Sequence, residues 1–237
     1  MKNVISFSLW GNNPLYTRGA INNADLALDV YPGWICYYFC NSCVPAEVIE
    51  ELKSRKNTNV IQIESIGDNR SAMNRFLAVD FIDVQRAIFR DADSRVSFRE
   101  KLAVDDWIAS DADIHIMRDH PYHAWFIQAG MFGLKCDKFK GEMFNAIKRY
   151  NPSLEKTQDQ NFMSAYLTHK IKNDKLTYIE HDPFFSKKPF PPGTHRGVNN
   201  GGVYFVGQQI HVDKEKDIYE FDGYLPDRNL VDNHEMK

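Results

Sequence analysis

At 237 residues, with 43% hydrophobic and 26% charged residues, the chain has the makeup of a water-soluble globular protein long enough to bury a sizeable core. A net charge of -3 with scattered basic residues excludes a broad electrostatic pull toward nucleic acid or acidic lipid. Val4 to Trp10 is too short for a membrane helix, no small-residue cleavage site follows it, and no later segment reaches about 18 uninterrupted apolar residues. The expectation is a cytoplasmic protein with no membrane anchor of its own, whether whole or one module of a longer polypeptide.

The first half of the chain repeats one rhythm: an apolar run, a polar turn, then an amphipathic stretch. Val4 to Leu9 predicts a buried strand. Tyr16 to Val30 sets Ala20, Ile21, Ala24, Leu26, Ala27 and Val30 at helical spacing and ends before Pro32. Trp34 to Phe39 predicts a second strand, and Pro45 opens a helix at a first-turn position, with Val48, Ile49 and Leu52 as its apolar stripe. Val60 to Ile63 predicts a third strand and Ser71 to Val79 a helix. Ala87 to Phe89 predicts a fourth, very short strand that runs into Arg90–Asp91–Ala92–Asp93. This alternation predicts an α/β domain with a mostly parallel sheet and helices on both faces.

A helix over Phe98 to Ala109 and a strand over Ile114 to Met117 continue the pattern, which then loosens. Gln128 to Leu134 is apolar with two glycines. Met143 to Tyr150 and Gln158 to His169 predict helices, and Leu176 to Ile179 and Val203 to Val206 predict strands. Lys187 to Gly202, rich in Pro and Gly, ends in the turn signal Asn199–Asn200–Gly201–Gly202 and has the length of a functional lid. The last dozen residues are polar and expected to fray.

Asp91 and Asp93 carry the strongest chemical signal. Residues two apart in an extended or turn segment point the same way, so both carboxylates can reach one cation. The pair follows a strand directly, and open α/β sheets bind ligands beyond the carboxyl ends of their strands. Two carboxylates suit Mn²⁺ or Mg²⁺, which take oxygen ligands and complete their shells with phosphate. Asp119, His120 and His123 form a second polar cluster after a strand, which either holds sugar hydroxyls or an acceptor or is a structural turn at Asp119–His120–Pro121. Arg75 is either a solvated helix residue or a phosphate-binding guanidinium. Asp159 is either a helix N-cap or a general base.

Phe76–Leu77–Ala78–Val79–Asp80 through Arg90–Asp91–Ala92–Asp93–Ser94–Arg95 resembles the donor-site region of glycosyltransferases with the GT-A fold. Arg99–Glu100, Trp107, His115 through Pro121 and Ala129–Gly130–Met131–Phe132–Gly133 look like a family of such domains in bacteria and large DNA viruses, the capsid-glycosylating transferase of chlorella viruses among them. The resemblance covers Val4 to about Gly207. It implies one glycosyltransferase domain over 1–237, with about 1–118 binding the nucleotide and about 119–225 the acceptor. It implies a UDP- or GDP-sugar donor, a Mn²⁺ or Mg²⁺ ion held by Asp91 and Asp93, and a hydroxyl of a glycan or glycoprotein as acceptor, in the hexosyl- or deoxyhexosyl-transferase class. Ser8, Leu9, Trp10 and Gly11 then lie beside the nucleotide base, with Arg75 and the backbone of Ala92 at the donor. Asp159 and Asp119 are the catalytic candidates, and His120, His123, Gln128 and Gly130 the substrate-binding ones. One departure stands out: where related enzymes often carry a metal-binding His ahead of a Phe-Val-Gly-like segment, Tyr204 precedes Phe205–Val206–Gly207. The substitutes in principle are His181, His195 and His211.

Three other readings compete. Cys36, Cys40 and Cys43 have the spacing of radical SAM iron–sulfur proteins, but Cys36 lies inside an apolar strand and Ser42 stands where an aromatic is usual, so buried reduced thiols are expected. A haloacid-dehalogenase-type phosphatase also uses an Asp-x-Asp, but after its first strand and not its fourth. A nucleotide-sugar-binding module without turnover would share every donor-site feature, and the missing His is its best support.

Overall fold

The computed structural model describes residues 1–197, 203–213 and 216–218. The turn expected at Asn199–Asn200–Gly201–Gly202, the end of the acceptor part and the polar tail lie outside these residues.

A seven-stranded sheet has the order β3-β2-β1-β4-β6-β5-β7, built from β1 (Lys2–Leu9), β2 (Ile35–Asn41), β3 (Thr58–Ile63), β4 (Val84–Arg90), β5 (Ile114–Met117), β6 (Met131–Lys135) and β7 (Tyr178–His181). All pairings are parallel except those of β6, which runs antiparallel to both β4 and β5. β1 is covered on both faces, so Val4, Ile5, Phe7 and Leu9 are all buried, and Ser6 and Ser8 between them are buried as well. Val4 joins Tyr37, Phe39, Ala87 and Phe89 in one core, and Ile5, Phe7 and Leu9 join Cys36, Tyr38, Cys40 and Ile88 in the other, as period-2 alternation requires. α1 (Pro14–Val30) and α3 (Phe98–Ser110) cover the second face. α4 (Met143–Tyr150), α5 (Gln158–Asn173) and a 3₁₀ run at Asn69–Asp80 cover the first. α1 begins where Asn13 Oδ1 accepts from the Leu15 amide (3.0 Å) and Pro14 opens the first turn. No helix of the described residues is long and apolar enough to cross a membrane.

The structure corrects the predicted elements in four places. β4 is seven residues long; its first half was hidden because Gln85 and Arg86 break the apolar run, Arg86 being buried 5.9 Å from the Trp107 ring and paired with Asp111 at 3.3 Å. The segment around Ser71–Val79 is 3₁₀ and not α, started by a capping box between Asp68 and Ser71. Pro45 precedes α2 (Ala46–Lys53) as its cap residue and is not part of its first turn. Val203–Val206 is not a strand: the Val206 amide goes to the Asp119 carboxylate (3.0 Å) and the Tyr204 amide to Gln208 Oε1 (2.7 Å), which leaves no donor row for a ladder. A two-stranded hairpin, β8 (His211–Asp213) and β9 (Lys216–Ile218), follows instead.

Candidate active site

β1 and β4 are parallel neighbours, with Ser6 opposite Phe89, so Ser8–Gly11 and Asp91–Asp93 leave the sheet side by side at its carboxyl edge. Arg75 enters the same space from the 3₁₀ run. The hydroxyls of β1 hold it there: Ser8 Oγ accepts from the Arg75 amide (2.8 Å), and Ser6 Oγ donates to its carbonyl (2.7 Å). The Arg75 guanidinium is buried, donating to Asp91 Oδ1, to Asp159 Oδ2 at 2.6 Å and to the Arg90 carbonyl at 3.3 Å. Burial works against its charge, but Asp91 and Asp159 more than offset that and hold it above the ordinary arginine range. Asp159, in the first turn of α5, makes no cap bond; its partner is Arg75, across 84 positions of sequence.

Together these groups line a cleft of about 260 Å³ whose walls include Ser8, Trp10, Arg75, Asp91, Ala92, Asp93 and Asp159. Tyr16, Asn69, Ala72, Lys156 and Thr157 complete the lining, and the sequence reading missed all five. Tyr16 stacks on Trp10, ring centroids 6.4 Å apart and planes 16° from parallel. Its position just inside the start of α1 was the one available signal. Lys156 and Thr157 come from an irregular segment that carries none.

The Asp-x-Asp turn is held from several sides. The Ser94 amide and hydroxyl both donate to the Asp91 carbonyl (3.2 and 2.9 Å). Asn23 of α1 donates to the Ser94 carbonyl at 2.7 Å and accepts from the Val96 amide at 3.0 Å. Gly130, one residue before β6, makes room for the Asp91 carboxylate: a Cβ there would sit 2.0 Å from Asp91 Oδ2. Burial first, and then the charge of Asp91, pushes the Asp93 carboxyl up to about 7, against the opposing pull of Arg75 and Arg95.

The remaining predicted residues fall into two groups. Leu9 points into the core with no exposure, and Gly11 takes a left-handed φ of 73° and donates its amide to Cys43 Sγ at 3.0 Å. Asp119 is fully buried, gripped by Arg99 (2.9 and 3.1 Å) with Arg196 at 3.6 Å. His120 is buried against Phe205, ring centroids 4.4 Å apart. His123 Nδ1 accepts from the Asp119 amide (3.2 Å), and burial presses its pKa down to about 4 despite the nearby carboxylate. The Gln128 carbonyl accepts from the Met131 amide at 2.9 Å, while its side-chain Nε2 is buried with no partner among the described residues. None of these four appears in the wall of the Asp91 cleft.

Among the described residues no three His, Cys, Asp or Glu side chains gather as a metal-holding group. His181 is engaged with His115 (2.9 Å) and Asp106 (3.1 Å), and His211 is an exposed residue of β8. The protein donors at the cleft are therefore carboxylates. Two carboxylates, Asp91 half exposed and Asp93 pushed toward neutrality by its burial and then by Asp91, fit a hard divalent cation that takes its remaining oxygens from phosphate or water. In the metal-free fold the raised Asp93 pKa favours the protonated form, so this group's contribution to stability is lost as pH rises from the usual carboxylate range through about 7. Metal uptake must displace that proton. Mn²⁺ affinity of the protein alone is expected to climb between about pH 6 and about pH 8, by titration in two buffers of different ionisation enthalpy. A flat profile with no proton release would contradict it.

The iron–sulfur alternative does not survive. Cys36 and Cys40 lie inside the second core, and burial pushes both thiols up to about 12. All four cysteines are free. Alkylation of the native protein is expected to mark Cys43, which is partly exposed, well before Cys36, Cys40 or the buried Cys136, as mass spectrometry of timed samples would reveal. Equal labelling of all four would refute the placement.

No protein-family model and no curated protein matches the chain. Solved structures do. The glycosyltransferase GlyE of Streptococcus pneumoniae TIGR4 is 14% identical, with a TM-score of 0.51 over 77% of this chain and 45% of that one. S. aureus TarS 1-349 in complex with UDP is 13% identical, with a TM-score of 0.48 over 77% and 61%. The mannosyltransferase PcManGT from Pyrobaculum calidifontis, in complex with GDP-Man and Mn²⁺, is 12% identical, with a TM-score of 0.49 over 76% and 55%. The chain spans 45% of the length of GlyE, so the likeness is one of fold. That fold is the GT-A fold expected from the sequence.

Proposed function

We propose that the chain is a metal-dependent glycosyltransferase that moves a hexosyl or deoxyhexosyl group from a UDP- or GDP-sugar to a hydroxyl of a glycan or glycoprotein. The observation that carries this reading is Arg75, a buried guanidinium joined to both Asp91 and Asp159 in one cleft at the sheet's carboxyl edge. A cationic group between two acids, beside a pair of stacked aromatics, suits a nucleotide diphosphate more than a neutral ligand. The GlyE likeness and the donor-region motifs support the same class.

In this reading Trp10 and Tyr16 flank the nucleotide, and Asp91 and Asp93 hold the cation. When bound, that cation neutralises the diphosphate as its bond to the sugar breaks. Arg75 exchanges one carboxylate contact for a phosphate oxygen and keeps Asp159 in place. Asp159 lines the cleft, and in this reading it takes the acceptor's proton. Asp119, clamped by arginines, acts as a positioning group under the loop that carries His120 and His123, and Gly130 clears space for Asp91. Residues from about 119 onward form the acceptor side. Four free thiols suit a reducing, cytoplasmic setting.

A panel of nucleotide sugars tested with and without Mn²⁺ is expected to raise the melting temperature for one nucleotide class, and only with metal present. Equal shifts with chelator present would remove the metal from the reading. One observation favours a second reading: among the described residues no third His, Cys, Asp or Glu side chain joins the two carboxylates as a metal ligand, as expected of a binding module that has lost turnover. Metal-dependent donor binding without hydrolysis or transfer to any acceptor would select it.

A further inference from the structure

The carboxyl-terminal hairpin is tied to the underside of the Asp-x-Asp turn. Arg95 follows the motif by two residues and its side chain has no exposure. Its guanidinium donates to the carbonyls of Ala92 (3.0 Å) and Ser94 (2.8 Å), so it holds the backbone on both sides of Asp93. The same guanidinium donates twice to Asp217 of β9, at 2.8 and 2.7 Å. Asn22 of α1 donates to Asp217 Oδ1 at 2.7 Å. The Ile210 amide, one residue before β8, donates to the Asp93 carbonyl at 2.8 Å. α1 closes in behind: a Cβ on Gly19 would lie 2.1 Å from the Ala92 carbonyl oxygen and 2.9 Å from Arg95 Nη1.

We infer that Asp217 is a positioning residue for the metal-binding turn, acting through Arg95, so that the hairpin some 125 positions downstream sets how well Asp91 and Asp93 hold a divalent cation. The inference rests on the metal reading of that pair. Two carboxylates two residues apart share a cation only if the intervening peptide is fixed, and both carbonyls of that region are fixed by one guanidinium. A free arginine would hold them loosely. Asp217 locks its fork through a bidentate pair, the geometry in which a guanidinium is most rigidly oriented. Asp217 is not part of the wall of the Asp91 cleft.

The test is Mn²⁺ binding to the intact chain, followed by the paramagnetic resonance signal of free Mn²⁺ well below the melting temperature. Asp217→Asn keeps the side chain's shape and removes its charge. It is expected to weaken Mn²⁺ binding about tenfold, with Asp217→Glu recovering part of the loss. Amide exchange at Ser94, Val96 and Ile210 should quicken, while that of β2 stays unchanged. If Asp217→Asn unfolds, Asn22→Ala, which leaves the Arg95 pair in place, is the second variant, with a smaller weakening expected. Asp217→Asn that melts earlier yet binds Mn²⁺ like the wild type would overturn the inference alone. Wild-type protein that binds no Mn²⁺ would overturn the metal reading and this inference with it.

Discussion

Asp91→Asn is expected to lower metal-dependent donor hydrolysis or transfer by about 10²–10³-fold while leaving the fold's stability almost unchanged. The reason for the split is where the side chain sits. Its 51% exposure means little apolar packing depends on it, and Arg75 keeps Asp159 as a partner when Asp91 loses its charge. Replacing the carboxylate with an isosteric amide therefore removes cation affinity and little else. Gly130→Ala is the companion variant that reaches the same carboxylate from outside. The added methyl would fall 2.0 Å from Asp91 Oδ2 and 2.7 Å from its Cγ, so the carboxylate must swing away although its charge is intact. Both variants should lose activity, and raised Mn²⁺ should rescue Gly130→Ala more than Asp91→Asn. Near-wild-type turnover by Asp91→Asn at limiting Mn²⁺, with melting unchanged, would place the chemistry elsewhere.

Much of the fold was legible because burial and secondary-structure period coincide in it. β1 shows through Val4, Ile5, Phe7 and Leu9, and Ala20, Ile21, Ala24 and Ala27 mark the buried face of α1. Legibility failed where a polar side chain takes over a structural task. Arg86 masked the start of β4, and the side-chain acceptors Asp119 and Gln208 took the amides that Val203–Val206 would have needed to form a strand. β6 was readable as an apolar stretch but not as the strand that runs against its neighbours in the seven-stranded sheet, since direction is set by what lies beside it.

The site divides on the same line. Asp91 and Asp93 could be read from spacing and from their place after a strand. That Arg75 joins Asp91 to Asp159 could not, because the contact spans 84 residues and depends on the 3₁₀ run lying over β1. Tyr16 and Lys156 reach the cleft by tertiary placement alone. Asp119 and its histidines allow two readings from sequence, a group that holds sugar hydroxyls or an acceptor and a structural turn, because a polar run after a strand can serve either. Here the sequence that signalled chemistry encodes a buried clamp: Arg99 takes Asp119, and Glu100 takes Arg90 at 3.1 Å and the Tyr31 hydroxyl at 2.9 Å.

That clamp makes Asp119 a site where a single substitution is expected to cost much stability. Asp119→Ala should destabilise the protein by about 3–5 kcal/mol, because it takes the carboxylate away from a buried ion pair. Arg99 would remain 1% exposed and Arg196 4% exposed, with their shared carboxylate gone, and the Val206 amide would lose its acceptor as well. In a chain of this length that corresponds to a melting temperature lower by roughly 10 °C. Asp105→Ala is the control: its ion pair with Lys101 is just as short, at 2.6 Å, but half exposed, and should be worth well under about 1 kcal/mol. Asp119→Asn keeps an acceptor for the Val206 amide and should fall between the two. If Asp119→Ala melts within a degree or two of Asp105→Ala, the arginines must reach water or other partners without moving the core. Asp119 would then be free of its structural task, and its place among the catalytic candidates would reopen.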